Sequence, residues 1–258
     1  MTTAVIVQAR VGSSRLPGKI LLPLGRRTPL ACVLTRCRRI PGADVVVCAV
    51  PDRPESDAIA AIARECGAEL HRGDEFDLLD RYDGAARAVG ATTVMRVTSD
   101  CPLVDPEICG AVLAALADED ADYACNNLPP LWPHGLDCDA FPASLLARAA
   151  RTADAPYDRE HVTPWLRRNR ALRRVNVDGP GAGVERHRWT LDYPEDMDFL
   201  RALWDFLGER AGEAGTGEIL AALAVRPQIS AINRHRIDET RLSDRTMPSS
   251  PLMVAAHG

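Results

Sequence analysis

Short apolar runs alternate with stretches of helical periodicity through the first 120 residues. Ala4 to Val7 reads as a buried first strand, after which the pattern breaks into a polar, glycine-bearing loop. Thr28 to Arg39 then reads as a helix, and Asp44 to Val50 as a second strand stopped by Pro51. Ser56 to Cys66 carries alanines and isoleucines at helical spacing and is closed by Gly67. A Glu69 to Arg72 strand, a Phe76 to Ala88 helix, a Thr92 to Thr98 strand and a Pro106 to Leu116 helix keep the alternation going. That order predicts an α/β fold: a mainly parallel sheet with helices on both faces.

From Asp122 the rhythm changes. Tyr123 to Cys125 reads as a strand, the Pro-rich Leu128 to Pro133 as a turn or lid, and Gly135 to Phe141 as a strand that pairs antiparallel. Helices are expected over Ser144 to Ala150, Glu160 to Arg168 and Glu195 to Leu207, with strands over Leu172 to Val177 and Arg188 to Leu191. These patterns divide the chain into a first part (1–120), a second (121–210) and a C-terminal helix and tail (211–258). The last helix is expected near Glu218 to Ala224, and the final ~10 residues as disordered or pinned by a partner.

Length and composition narrow the function classes. At 258 residues with a 46% hydrophobic fraction, the chain supports one α/β domain with a real core. A net charge of -5 argues against nucleic acid or anionic membrane as partner, so cations that matter should be focused on a small anionic ligand. No signal-like leader and no run of ~18 apolar residues is present, which sets the expectation of a cytoplasmic protein. Eight cysteines, scattered without a C-x-x-C pair, are expected as reduced, packed side chains and not as a zinc site. Cys101 is singled out only because it follows Asp100.

The chemistry concentrates in the loop after the first strand. Arg10, Arg15 and Lys19, set among Gly12, Ser13, Ser14 and Gly18, are suited to polyphosphate, because glycines let backbone N–H groups approach an anion while the cations neutralise it. The loop is not a Walker A motif: five residues separate Gly12 from Gly18, and Ile20 follows Lys19. The dinucleotide G-x-G-x-x-G is missing too. Asp100 closes the Val94 to Val97 strand where open α/β sheets bind ligands, and one or two aspartates suffice for Mg²⁺ when phosphates complete its shell. Asp192 reads equally well as a metal ligand and as part of a helix N-cap region before Pro194.

Several motifs together carry a family resemblance. Gln8-Ala9-Arg10 followed by Gly12 to Lys19 is similar to the opening of the cytidylyltransferases that activate acidic sugars, most closely the spore coat polysaccharide biosynthesis protein F branch. The resemblance continues at His71-Arg72-Gly73, Leu79-Asp80-Arg81-Tyr82, Thr98 to Pro106, Tyr157 to Pro164 and Trp189 to Asp196, in matching order over about 200 residues. It implies a three-layer α/β/α nucleotide-diphospho-sugar transferase fold, with residues 1–120 as the nucleotide-binding half, 121–210 as the acceptor-binding half, and an antiparallel excursion for acceptor or homodimer contacts. It also implies transfer of CMP from CTP to a small anionic acceptor, with Arg10, Arg15, Lys19 and Asp100 catalytic and Mg²⁺ on Asp100 and Asp192. The nucleotide would be bound by Gln8, Ala9, Gly12, Ser13, Arg72 and Arg81 beside those four. Asn126, Asp137, Arg159, Glu160 and His161 are the expected acceptor contacts, with Asn127 and His134 nearby. Asp137-Cys138-Asp139 also spells the D-x-D of nucleotide-sugar glycosyltransferases, and strand alternation would put both carboxylates on one face. A glycosyltransferase of the same fold and a nucleotide-binding protein without turnover are the competing readings.

Overall fold

A computed structural model describes residues 1–243 together with Leu252 and Met253. Among these residues, eight strands form one sheet: β1 (Thr3–Gln8), β2 (Val45–Pro51), β3 (Glu69–Gly73), β4 (Thr93–Thr98), β5 (Tyr123–Cys125), β6 (Asp139–Pro142), β7 (Arg174–Asp178) and β8 (Leu252–Met253). Their spatial order is β3-β2-β1-β4-β6-β5-β7-β8. β6 alone runs against its neighbours, pairing antiparallel with β4 and β5, while the other pairings are parallel. The chain leaves β1 toward β2 and β3 and returns to its other side with β4. The crevice at the carboxyl ends of β1 and β4 is therefore a topological switch point, where open sheets bind ligands.

Alternation along the strands builds two apolar layers. Val5, Val7, Met95 and Val97 face one side, where α1 (Pro29–Cys37), α2 (Asp57–Glu65) and α4 (Pro106–Asp118) lay Leu30, Val33, Ile59 and Val112 against them. Ala4, Ile6, Val94 and Phe141 face the other, under Leu79 and Tyr82 of α3 (Leu78–Ala88) and Leu146 of α5 (Ala143–Thr152). Each helix start has its own side-chain cap where the sequence provides one: Thr28 accepts from Ala31 N at 3.2 Å and Asp105 from Glu107 N at 2.9 Å.

A third apolar cluster lies outside the sheet. It joins Trp189, Leu200 and Leu203 of α8 (Pro194–Leu207) and its approach to Ile219 and Leu223 of α9 (Thr216–Val225), Ile229 of α10 (Pro227–Ala231), Leu24 and Ile108. The buried Arg36 reinforces it, donating to the carbonyls of Val104, Ala211 and Ala214 at 2.9–3.3 Å. The backbone beyond Gly208 is thereby stitched to α1 and α4.

Three expected elements differ. The helix over Glu160 to Arg168 is two short ones, α6 (Pro156–His161) and α7 (Pro164–Arg168), because Val162 takes φ 69 and Pro164 restarts the chain. Arg188 to Leu191 is no strand. Its N–H groups go to loops, Trp189 N to His134 O at 2.7 Å and Leu191 N to Asp100 O at 2.8 Å, leaving one bridge between His134 and Arg188. The antiparallel strand begins at Asp139 and not at Gly135. Glu239–Ser243 forms α11, and apart from the backbone of Leu252 and Met253 the expectation for the final residues lies outside the described residues.

Candidate active site

Two carboxylates and two cations meet at the switch point. The loop after β1 closes on itself, with Gly18 N donating to Val11 O at 3.3 Å and the Ser13 hydroxyl accepting from Leu16 N at 3.3 Å. Gly18 adopts φ 66, a left-handed conformation that a side chain would strain, and turns the chain into the single turn Lys19–Leu21. That turn aims Lys19 inward. Its ammonium donates to Asp100 Oδ2 at 3.2 Å, Asp192 Oδ1 at 3.0 Å and Leu191 O at 2.6 Å. Arg15 donates to the same Asp192 oxygen at 2.5 Å.

The surroundings fix each carboxylate. Thr98 donates its hydroxyl to Asp100 Oδ1 at 2.6 Å, and Leu191 N and the Thr190 hydroxyl hold the Asp100 carbonyl. Asp192 precedes α8, yet the capping is done by Asp196, whose Oδ2 accepts from the N–H groups of Asp192 and Tyr193 at 2.9 and 3.0 Å. Asp192 is therefore released to face the site. Arg188 clamps Asp196 through two 2.8 Å bonds and touches Asp192 Oδ2 at 3.3 Å, while the Tyr193 ring lies against the guanidinium groups of Arg15, Arg188 and Arg236. Gly135, at φ 114, lets the 134–137 loop press against this segment: a Cβ there would sit 2.5 Å from Thr190 N.

Electrostatics follow from that geometry. Burial alone would raise Asp192, but Lys19 and Arg15 outweigh it and hold the carboxyl at about 2. Burial likewise opposes the charge on Lys19, and Asp100 and Asp192 outweigh it, so the ammonium titrates above its ordinary value. The pair also fits a divalent cation. Asp100 Oδ2 and Asp192 Oδ1 approach one point, the one now filled by the Lys19 ammonium, and Mg²⁺ needs only one or two carboxylates when phosphate oxygens and waters supply the rest. No cluster of three or more metal-ligating side chains occurs among the described residues.

Two cavities meet at these aspartates. The larger, about 750 Å³, runs from the loop after β1 toward the end of β3 and is lined by Gln8, Ala9, Arg10, Gly12, Ser13, Arg15 and Lys19, and by Asp74 to Leu78 and Arg81 on the far wall. Arg81 is buried there, donates to Asp74 O at 2.6 Å, and has its Nε without a partner among the described residues; burial pushes its guanidinium below the ordinary value. Arg159, Glu160 and His161 line one edge. All three nitrogens of Arg159 are already bonded, to Asp77 and to the carbonyls of Ala150 and Ala153, so it braces α3 against α5.

Two expected contacts lie elsewhere. Arg72 turns away from the cleft to pair with Asp57 at 2.6 Å. Asn126 is fully buried, bonding Leu136 O and Cys138 N at 2.7 and 3.0 Å, and so organises the turn below the site. The two aspartates of the D-x-D separate as well: Asp139 is buried in β6 against Arg96 and Arg167, while Asp137 pairs with Arg241 at 2.5 Å.

The smaller cavity, about 290 Å³, opens on the β6 side of Asp100 and Asp192 and contains Asp137, Asn127 and His134 together with Arg96, Arg167 and Arg241, which sequence reasoning missed. Arg96 had a signal, a charged residue inside the apolar run Thr93 to Thr98. Arg241 had none.

A cytidylyltransferase family model matches residues 4–206. The spore coat polysaccharide biosynthesis protein SpsF of Bacillus subtilis is 33% identical over 86% of this chain and 94% of its own. The chain belongs to the cytidylyltransferase family. This cytidylyltransferase is also 29% identical, over 79% of its length and 85% of the relative's, to a 3-deoxy-manno-octulosonate cytidylyltransferase of a Chelativorans species. A solved cytidylyltransferase from Leptospira borgpetersenii superposes with a TM-score of 0.83 at 27% identity, covering 89% of this chain and 96% of the other. The three-layer nucleotidyltransferase fold and the enzyme class are thus those expected from the motifs.

Proposed function

We propose that this cytidylyltransferase transfers CMP from CTP to the hydroxyl of a small anionic acceptor, a sugar acid or a related phosphate, releasing pyrophosphate for the synthesis of a surface polysaccharide or glycoconjugate precursor. The observation that carries the reading is the convergence of Lys19, Arg15, Asp100 and Asp192 at the carboxyl ends of β1 and β4. The names of the relatives, one in spore coat polysaccharide synthesis and one acting on 3-deoxy-manno-octulosonate, support the acceptor class.

The chain's own groups divide the work. Arg10, Arg15 and Lys19 would neutralise the triphosphate, and the loop after β1 would add neutral donors. Arg81 and Asp74 to Leu78 line the end of the large cleft where base and ribose would sit. Asp100 and Asp192 would hold Mg²⁺, which when bound supplies charge neutralisation at the phosphate oxygens. The acceptor oxygen attacks the α-phosphorus, the bond to the bridging oxygen breaks with its electrons leaving on pyrophosphate, and the hydroxyl proton passes to water. Positioning and charge do this without a protein nucleophile. Cys101 fits that absence, since burial and the Asp100 carboxylate push its thiol far above the ordinary range.

Pyrophosphate release measured with Mg²⁺ across the four ribonucleoside triphosphates and a panel of sugar acids, sugar phosphates and phosphonates tests the reading. Turnover with CTP alone, lost in Asp100→Ala, is expected. Transfer of a sugar from a nucleotide sugar without pyrophosphate release would favour the glycosyltransferase reading instead.

A further inference from the structure

The 290 Å³ pocket brings three arginines, Arg96, Arg167 and Arg241, together beside the carboxylates of Asp100, Asp137 and Asp192. Asp139, fully buried, is shared by Arg96 at 3.1 Å and Arg167 at 2.6 Å, and the hydroxyl of Tyr123 also points at it. Two guanidinium groups on one buried carboxylate leave that wall of the pocket with a local excess of positive charge. Arg241 reaches the same pocket from α11. Its Nη2 donates to Asp137 Oδ1 at 2.5 Å, while its buried Nη1 has no hydrogen-bond partner among the described residues. An unpartnered guanidinium nitrogen beside a locally positive wall is a costly arrangement without an anion.

The position of the pocket decides which anion. It shares Thr98, Asp100 and Asp192 with the large cleft but lies across them, on the side of β6 and β5. A nucleotide laid along β1 to β3 would end its phosphates at those aspartates, and the molecule entering from the other side is the one that attacks. Asn127, His134 and Asp137 are polar groups of the kind that bind hydroxyls, and burial keeps His134 toward its neutral form.

We propose that this pocket is the acceptor subsite, and that Arg241 grips the acceptor's carboxylate or phosphate. The assignment rests on the nucleotidyl-transfer reading above. Arg241 lies outside residues 4–206, the stretch matched by the family model, so the C-terminal segment would add a residue to the active site from beyond that stretch.

Calorimetric titration of the full chain tests this, with CTP, with 3-deoxy-manno-octulosonate and with sorbitol 6-phosphate as separate ligands, for the wild type, Arg241→Ala and Arg241→Lys. The two acids distinguish a carboxylate from a phosphate as the anion. Wild type is expected to bind at least one of them, Arg241→Ala to bind it about tenfold more weakly or worse, Arg241→Lys to fall between, and CTP affinity to stay within about twofold throughout. A merely structural arginine would disturb CTP as much as the acid. Unchanged acid affinity in Arg241→Ala overturns the proposal, as does a wild-type protein that binds CTP and neither acid. Arg241-dependent acid binding without CTP binding would keep the anion site while removing the nucleotidyl-transfer reading.

Discussion

Asp192 accepts from Lys19, Arg15 and Arg188 at once, so its charge state governs both the site and part of the stability. Its carboxyl lies at about 2 in the folded chain against 3.8 ordinarily, so the unfolded chain binds more protons between those values. The resulting stabilisation, ~2 kcal/mol, is fully present above pH ~4 and lost as pH falls toward 2. Urea unfolding of wild type and Asp192→Asn from pH 6 downward should show a shallower slope in the variant, where Glu195, Asp137 and Asp139, also held below their ordinary range, still contribute. The same variant should slow pyrophosphate release by about 10²-fold or more, because it removes charge where the phosphates react. Arg188→Leu leaves the buried Asp196 with its amide partners and Asn233 but no counter-charge, and should cost ~3 kcal/mol in the same assay.

At the scale of elements, what could be read in advance was what local sequence decides. The loop after β1 and the end of β4 were legible because a strand, its stop and the residues that follow are contiguous. Asp192 was only half legible: Pro194 announced the helix, but that Asp196 caps it and frees Asp192 depends on Arg188 and Asn233. The loop partners of Trp189 and Leu191, His134 and Asp100, lie on distant segments, which no periodicity records. The family resemblance implied Arg72 as a nucleotide contact, and Asp57 on α2 draws it away. Gly135→Ala tests the packing of these loops: its Cβ would meet backbone at Thr190 and Trp189, which has no freedom to yield as a side chain has. A loss of ~3 kcal/mol or more in stability, with slower pyrophosphate release from the displaced Asp192 segment, is the expected outcome.

The whole molecule has one more property that its sequence conceals. Residues 211–243 read as a helix and a polar tail, yet Arg36, Asp105 and the third apolar cluster bind that stretch to α1, α4 and α8. Truncation after Gly208 should therefore expose Leu24, Ile108 and Trp204 and abolish the main transition in thermal unfolding, where an appendage would leave it in place. Among the described residues no helix is long and apolar enough to cross a membrane. The cysteines add a check on integrity: the buried thiols, including Cys48, which burial pushes up to about 12, should resist alkylation at pH 8 while the half-exposed Cys66 labels first.

The ammonium between Asp100 and Asp192 also sets a thermodynamic linkage. A divalent cation entering there must displace Lys19 from the same oxygens, and Lys19 then needs another anion. Triphosphate provides one. Metal and nucleotide should thus bind with positive cooperativity, each tightening the other by the same factor. In Lys19→Met that mutual factor should shrink, with metal alone binding more tightly than to the wild type and nucleotide alone more weakly.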